Sequence, residues 1–529
     1  MAKRMRIFQK INTLTDEQLI STVVLLLAVV LGAAVRLNFI SGSIYPVNDG
    51  GFFYTMINDL MENHFRLPLY SSYNQIDIPY AYPPLAFYLL GGLHKLTGIS
   101  VISLLLYIPA LLSILTIPVC YSLTEIFFTE DKFSRALATY IFATLPRSFE
   151  WLVMGGGITR VLGFLFALLA LLYFYRDLQS NKITGNLFAA AFFAGLTVLS
   201  HPVAVLFLGF SMIVVGIYCW PINLFKAGVL GFLALLVVSP WLVSVLSNHG
   251  LATYLGASNT GHLDWFELKY LITQNFEYEN RLFLALVSVF SILGLFGRPR
   301  KRALFLGILV FGGYLFIPRG GVDLLTIYLA MLGTCGFLVV VRGWQAAERD
   351  KKSKGESFYL ARRSRILLFY LVIYTFVGSY TYKFVDGKLD LRLSPEDVQA
   401  MTWISENTDP GSVILHLPSN ESYRNWPNDF IGEWLPALTA RSNLSTVQGY
   451  EWLPEAFAGK VDQYLYLRSC IDYGISCVED WQEDNDLRAD FLYISKVENQ
   501  FLLIENVSLT GKYTTVFENE RVVVFEVQP

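Results

Sequence analysis

The chain has 529 residues, 54% of them hydrophobic and only 16% charged, with a formal net charge of −3. A soluble globular protein carries about 25% charged residues, so a water-facing surface along the whole chain is excluded. A net charge this small discriminates nothing by itself, but the sequence shows no basic stripe, Walker loop or zinc-type spacing, which leaves nucleic-acid binding and ATP hydrolysis without support.

The charge deficit is confined to the first part of the chain. Up to about residue 383 apolar stretches alternate with short polar ones, and beyond it the composition is that of a soluble domain, which places a boundary near Lys383 to Asp390. At about 20 residues per 30 Å of hydrocarbon, the apolar stretches read as about eleven spans, near 18–40, 101–127, 136–149, 158–175, 184–200, 203–220, 227–247, 282–297, 303–317, 322–341 and 366–382. The first is too long for a secretory h-region and lacks a small-residue cleavage site, so it reads as a retained helix.

Orientation follows from Lys and Arg, which are kept on the cytoplasmic side. With the N-terminus inside, the inner segments hold Lys3, Arg4, Arg6, Lys10, Lys132, Arg135, Arg176, Lys182, Lys226, the run from Arg298 to Arg302, and the cluster from Arg342 to Arg365. The longer outer loops hold only scattered cations such as Arg66, Arg147, Arg160, Lys269, Arg281 and Arg319. An odd number of spans then puts the C-terminal domain outside the cytoplasm.

The first outer segment, 41–100, is too long for a simple connection. From Gly50 to Asn63 it places Phe52, Phe53, Met56, Ile57, Leu60 and Met61 on one face of a helix, which suits a helix lying in the membrane interface. A second helix is expected to begin at Tyr82-Pro83-Pro84, because proline is favoured in a first turn. Asp49, where the first span surfaces, has two compatible readings: an N-cap for the helix behind it, or a general base at the water–lipid boundary. Other polar residues at span ends or in outer loops are Asp77, Arg147, Glu150, Arg160, His201, Asp264, Glu277, Glu279 and Arg319. Arg160 follows three glycines, Gly155 to Gly157, that leave a backbone open to close approach by a ligand. The plain alternatives are snorkelling or ion pairing for Arg160 and Arg319, and a hydrogen-bonded turn for His201-Pro202.

An acidic residue after the first span, an interfacial helix behind it, the Tyr-Pro-Pro-Leu helix start at 82–85 and a descending span from Ile102 together resemble the GT-C superfamily of integral-membrane glycosyltransferases. The likeness covers 18–250 well and the later spans loosely. It implies a polyprenyl-phosphate sugar donor, Asp49 as the catalytic acidic residue, and Arg160 and Arg319 as binders of the donor phosphate, with Tyr82, His201, Asp77 and Glu150 as further substrate contacts. The sequence reads Asn48-Asp49-Gly50 where better-known branches show an acidic pair. With no second carboxylate at a convincing spacing, no cofactor is expected, although a divalent metal such as oligosaccharyltransferases use remains compatible.

The C-terminal segment, 384–529, reads as a small α/β domain: a helix from Ser394-Pro395-Glu396 to Asn407, and strands at 413–415, 491–494, 513–517 and 522–525. Cys470 and Cys477 lie seven positions apart and are expected to pair in an oxidising compartment, whereas Cys120, Cys219 and Cys335 lie in spans as small hydrophobes. Trp403, Trp426, Trp434 and Trp452 are read as core, the alternative being a surface on which a sugar stacks.

The expected function is inverting transfer of a sugar to an acceptor hydroxyl of a glycan, lipid or protein, at the outer face of the plasma membrane. Two rivals are a transporter or lipid-linked-glycan flippase, which predicts internal repeats that the sequence lacks, and an inactive homologue that only binds glycan. The topology is directly testable. A reporter active only outside the cytoplasm is expected to work when fused after Pro529, and one active only inside when placed between Arg342 and Arg365; the opposite pattern at either point would overturn the orientation.

Overall fold

The computed structural model describes residues 16–180, 182–219, 224–258, 286–317, 321–349, 362–384, 391–418, 429–497 and 500–528. Arg319, the loop residues Asp264, Glu277 and Glu279, Trp426, and most of the expected boundary near Lys383 to Asp390 lie outside them.

Helices lie over all eleven apolar stretches. Among the described residues, six are long and apolar enough to cross a membrane: Gln18–Ile40, Val101–Ile126, Gly157–Leu178, Leu224–His249, Asp323–Trp344 and Arg362–Phe384. Gly185–Val198 and Pro202–Tyr218 are apolar but shorter, and Lys132–Thr144, Leu286–Gly294 and Arg300–Gly307 are shorter still. The reason is local where it can be read: Pro146 holds Leu145 extended, at φ −77° and ψ 125°, which ends the Lys132 helix. The Gly157 helix and the Asp323–Trp344 span are the central ones, with 78% and 89% of their apolar windows buried, whereas the outer helices leave Leu26, Val30, Phe232 and Phe369 exposed.

Lys3, Arg4, Arg6, Lys10 and much of the cluster from Arg342 to Arg365 lie outside the described residues; the described cations used for the orientation gather at one end of this bundle. Lys226 Nζ meets Asp177 Oδ2 at 2.8 Å and also donates to the Ser180 carbonyl. Lys301 Nζ donates to the Tyr218 carbonyl, Arg302 to that of Phe127 and Arg342 to that of Arg298. One cation sits inside the bundle: Arg36 is fully buried, and its donors go to neutral oxygens of Ser113, Gly32, Ala143 and Ser148, with the Phe149 ring 5.1 Å from its guanidinium carbon. It ties the first helix to the two helices beside it.

At the opposite end the 41–100 segment forms a packed floor. The helix Gly51–Glu62 buries Phe52, Phe53, Met56, Ile57 and Leu60, as its spacing predicts. Asp59, on its other face, accepts hydrogen bonds from Ser71 Oγ and from Ser72 N and Oγ, which staples the hairpin of β1 (Tyr70–Ser71) and β2 (Ile78–Pro79) to the helix. The helix Leu85–Thr97 follows, with Pro84 at its N-cap.

The C-terminal segment holds a five-stranded sheet in the order β4-β3-β5-β7-β6. β3 (Val413–His416) lies parallel between β4 (Ser442–Asn443) and β5 (Phe491–Ser495); β7 (Val522–Val527) and β6 (Tyr513–Glu518) complete it antiparallel. Successive residues point to opposite faces, and both faces are covered, so the strands read as continuous apolar runs. Ile414, Phe491, Tyr493, Val522 and Val524 pack with the helices Pro395–Asn407 and Phe430–Thr439, while Leu415, Leu492, Ile494, Val523 and Phe525 pack with Ala456–Ser469, Ile475–Asp484 and Phe501–Leu509. Cys470 and Cys477 form a disulfide between two of those helices. β4 is missed from the sequence because it is two residues long and exists only through its pairing with β3.

Arg36→Ala would leave buried carbonyl and hydroxyl acceptors unsatisfied and is expected to cost about 2–3 kcal/mol of stability. Thermal unfolding in detergent should show the loss, and a variant as stable as the parent would mean that these contacts contribute nothing.

Candidate functional site

The site begins with three stretches of backbone that cross at the floor end of the bundle: Asp49-Gly50-Gly51, Gly155-Gly156, and Glu433-Trp434. Gly50 adopts φ 128°, a conformation that favours glycine. A Cβ on Gly50 would lie 3.1 Å from Gly155 Cα and 3.2 Å from the Trp434 ring, and one on Gly51 would lie 2.6 Å from the Glu433 carbonyl oxygen. A Cβ on Gly155 would run into the carbonyl oxygen of Asp49, and one on Gly156 into the Asp49 carboxylate. The glycines before Arg160 are therefore filled by the chain itself, and not, as the sequence suggested, held open for a ligand.

Asp49 does not cap the helix behind it. That helix has Gly50 at its N-cap with no side-chain cap, and the Asp49 Oδ1 instead accepts from Gly156 N at 2.8 Å, at the start of the Gly157 helix. The amides of the Gly51 helix go to a carboxylate from far along the chain: Glu433 Oε1 accepts from Gly50 N at 2.9 Å and from Phe52 N at 3.4 Å. Two helix N-termini thus face two carboxylates, each terminus presenting partial positive charge. The docking is fixed further by Trp434 Nε1, which donates to the Asn48 carbonyl at 3.2 Å, and by Tyr73, whose hydroxyl donates to the Glu433 carbonyl at 2.7 Å.

Electrostatics separates the two acids. Desolvation raises Asp49, opposed by the Gly156 amide and the Arg160 charge. Desolvation and the neighbouring Asp49 push the buried Glu433 up to about 8. Asp49 is half-buried and keeps access to solvent, and only its Oδ1 is engaged by the described residues.

Of the residues singled out from sequence, Asp49, Arg160, Tyr82 and His201 come together. Arg160 lies one turn into the Gly157 helix, over the Trp151 ring at 5.6 Å. The Tyr82 hydroxyl is 3.1 Å from Thr159 Oγ1, and its ring lies 6.4 Å from that of His201, the N-cap of the helix Pro202–Tyr218. Asp77 and Glu150 are not brought in: Asp77 is exposed on the hairpin, and Glu150 accepts from the Tyr382 hydroxyl at 2.7 Å. Trp434 and Trp452 are buried as expected and Trp403 partly so. Trp452 also packs edge-on to Tyr82 and Tyr254, at 5.4 and 6.2 Å between ring centres, and Trp241 lies 6.1 Å from Tyr254. The indole N–H groups of Trp241 and Trp452 are buried and have no acceptor among the described residues.

Sequence reasoning missed Glu433 as a partner of Asp49. The only available signal was a carboxylate embedded in an aromatic, proline-containing helix, where a charge has no reason to be buried without a partner.

No protein-family model matches this chain, and no curated protein matches it in sequence. Solved structures do. The archaeal oligosaccharyltransferase AglB from Archaeoglobus fulgidus, in complex with an inhibitory peptide and a dolichol-phosphate, superposes with a TM-score of 0.55 at 14% identity, over 90% of this chain and 69% of that one. ArnT from Cupriavidus metallidurans, bound to undecaprenyl phosphate, gives 0.52 at 15% identity over 94% of this chain and 97% of that one. The arabinofuranosyltransferase AftD from Mycobacteria gives 0.52 at 12% identity over 96% of this chain and 40% of that one.

Gly156→Ala is expected to displace the Asp49 carboxylate without unfolding the chain, because the added Cβ would fall on that carboxylate. A structure of the variant alongside thermal melts tests this; an unmoved carboxylate would show that this contact does not position Asp49.

Proposed function

We propose that this chain, whose fold is that of the GT-C superfamily, is a membrane glycosyltransferase that moves a sugar from a polyprenyl-phosphate donor to an acceptor hydroxyl, with inversion. The observation that carries this reading is the half-buried Asp49 carboxylate, held through one oxygen at the meeting of two helix N-termini and beside Arg160. The AglB and ArnT structures hold dolichol phosphate and undecaprenyl phosphate, and the same class of carrier is assigned here. The acceptor is a glycan, lipid or protein.

In the proposed reaction Asp49 takes the proton of the acceptor hydroxyl, whose oxygen attacks the anomeric carbon opposite the phosphate. The bond from that carbon to the phosphate oxygen breaks, and the electron pair leaves with polyprenyl phosphate. Arg160 stabilises the departing phosphate, and Arg319 is assigned the same role. Tyr82 and Tyr254, both partly exposed, offer aromatic surface for a sugar ring.

A divalent cation fits the described residues poorly. Asp49 and Glu433 each commit an oxygen to backbone amides, and among the described residues no third His, Cys, Asp or Glu joins them to form a ligand set. The Archaeoglobus fulgidus oligosaccharyltransferase has been solved in complex with Zn and sulfate.

The site is placed at the outer face of the plasma membrane, with the N-terminus cytoplasmic, 1–383 as the membrane part with its outer loop 41–100, and 384–529 as an outer domain. The gathering of cations at the other end of the bundle supports this placement. The test separates binding from chemistry. Asp49→Asn keeps an oxygen for the Gly156 amide but cannot take up a proton near neutral pH, so it is expected to fold, to bind undecaprenyl-phosphate sugar and to transfer it roughly 100-fold more slowly or worse. Arg160→Ala is expected to weaken donor binding. Near-normal transfer by Asp49→Asn would remove Asp49 as the base.

A further inference from the structure

We propose that Glu433 is a positioning residue for Asp49: it caps the helix that starts beside Asp49 and keeps its own proton there, so that the C-terminal segment completes the transfer site. The inference rests on the glycosyl-transfer reading above.

The geometry is that of a clamp. Glu433 Oε1 binds the amides of Gly50 and Phe52, on either side of Gly51, and Gly50 is the residue after Asp49. Gly51 lies against the Glu433 backbone and Gly156 against the Asp49 carboxylate, so both acids sit where the same segments cross. The groups facing Glu433 are mostly acidic. Asp49 comes from the loop and Glu451 from the turn Tyr450–Trp452, where its Oε2 accepts from Gly449 N. Asp429 lies on Glu433's own helix, as its N-cap, and is held by His416 Nε2 at 3.0 Å. Tyr73 donates to the Glu433 backbone and stays neutral, raised by burial and by these carboxylates. Arg160 is the cation that acts on Asp49. Two charged carboxylates against one guanidinium in a desolvated corner are unfavourable, so one of the pair keeps a proton. Glu433 is the more buried and Asp49 the one beside the arginine, which assigns the proton to Glu433 and leaves Asp49 as the base. Burial and the Asp49 charge, which hold Glu433 neutral up to about 8, agree with that assignment.

The sign of the pH effect follows. Glu433 binds its proton more tightly folded than unfolded, so its contribution to stability is complete below its ordinary carboxylate range and is lost as pH rises through about 8. Over the same interval a second negative charge appears beside Asp49 and repels the donor phosphate.

The experiment uses the full chain in lipid nanodiscs, with Glu433→Gln and Glu433→Ala, between pH 5.5 and 10. It has two readouts: thermal stability, and transfer from a panel of undecaprenyl-phosphate sugars. Wild type is expected to lose stability as pH rises from 5.5 to about 8, with no further loss from this group above that, and to lose transfer as pH rises through about 8. Glu433→Gln, which keeps the acceptor oxygen and cannot ionise, should lose both of these alkaline limbs. At pH 7 it should transfer roughly 5-fold more slowly than wild type, against roughly 100-fold for Glu433→Ala, because only the alanine releases the two amides. An alkaline limb unchanged in Glu433→Gln, or a glutamine variant as impaired as the alanine one, would overturn the proposal. A wild type inactive on every donor would instead count against the transfer reading, while the stability limb would still decide whether Glu433 holds the proton.

Discussion

Everything at the floor end of this molecule depends on how closely three pieces of backbone approach one another. Asp49-Gly50-Gly51, Gly155-Gly156 and Glu433-Trp434 meet at distances that a Cβ would not tolerate at three of those positions, Gly51, Gly155 and Gly156. Such contact brings two helix N-termini and two carboxylates within one small volume, and each carboxylate satisfies amides that belong to another segment. Reciprocal capping of this kind satisfies orphan donors that each helix would otherwise leave exposed. It also joins the floor, the central Gly157 helix and the C-terminal sheet at one point.

The acids held there are not equivalent. One is half-exposed and faces an arginine; the other is buried and faces carboxylates. Environments that push two titratable groups apart are how a site divides acid and base roles near neutral pH. Around them the wall is aromatic: Phe53, Tyr82, Tyr254 and Trp452 come from four different segments and pack edge to face.

The far end of the bundle shows the complementary arrangement. Its cations are tied to helix-end carbonyls, where the helix dipole favours positive charge, and the charge asymmetry read along the sequence becomes a physical asymmetry between the two ends of the bundle. Arg36 is the exception, a buried charge that holds the first helix in place with neutral acceptors from neighbouring segments.

The sequence by itself determined the local features. Apolar stretches located the helices, the apolar spacing from Phe52 to Leu60 defined the floor helix and its buried face, and Pro84 and Pro395 marked helix starts, because periodicity and proline stereochemistry act over a few residues. Asp49, Arg160, Tyr82 and His201 were also legible, since each stands beside an apolar stretch where a polar group needs a reason. What Asp49 binds was decided only by the fold. Its partner amide lies 107 positions away, and Glu433 is 383 positions from the amide of Gly50 that it caps. The same holds for the two-residue strand β4 and for the meeting of Tyr82 with Trp452. Spacing along a chain constrains residues on one helix or strand, whereas contacts across hundreds of positions are set by how whole segments pack, and here that packing depends on glycines whose purpose is invisible until the opposing backbone is in place.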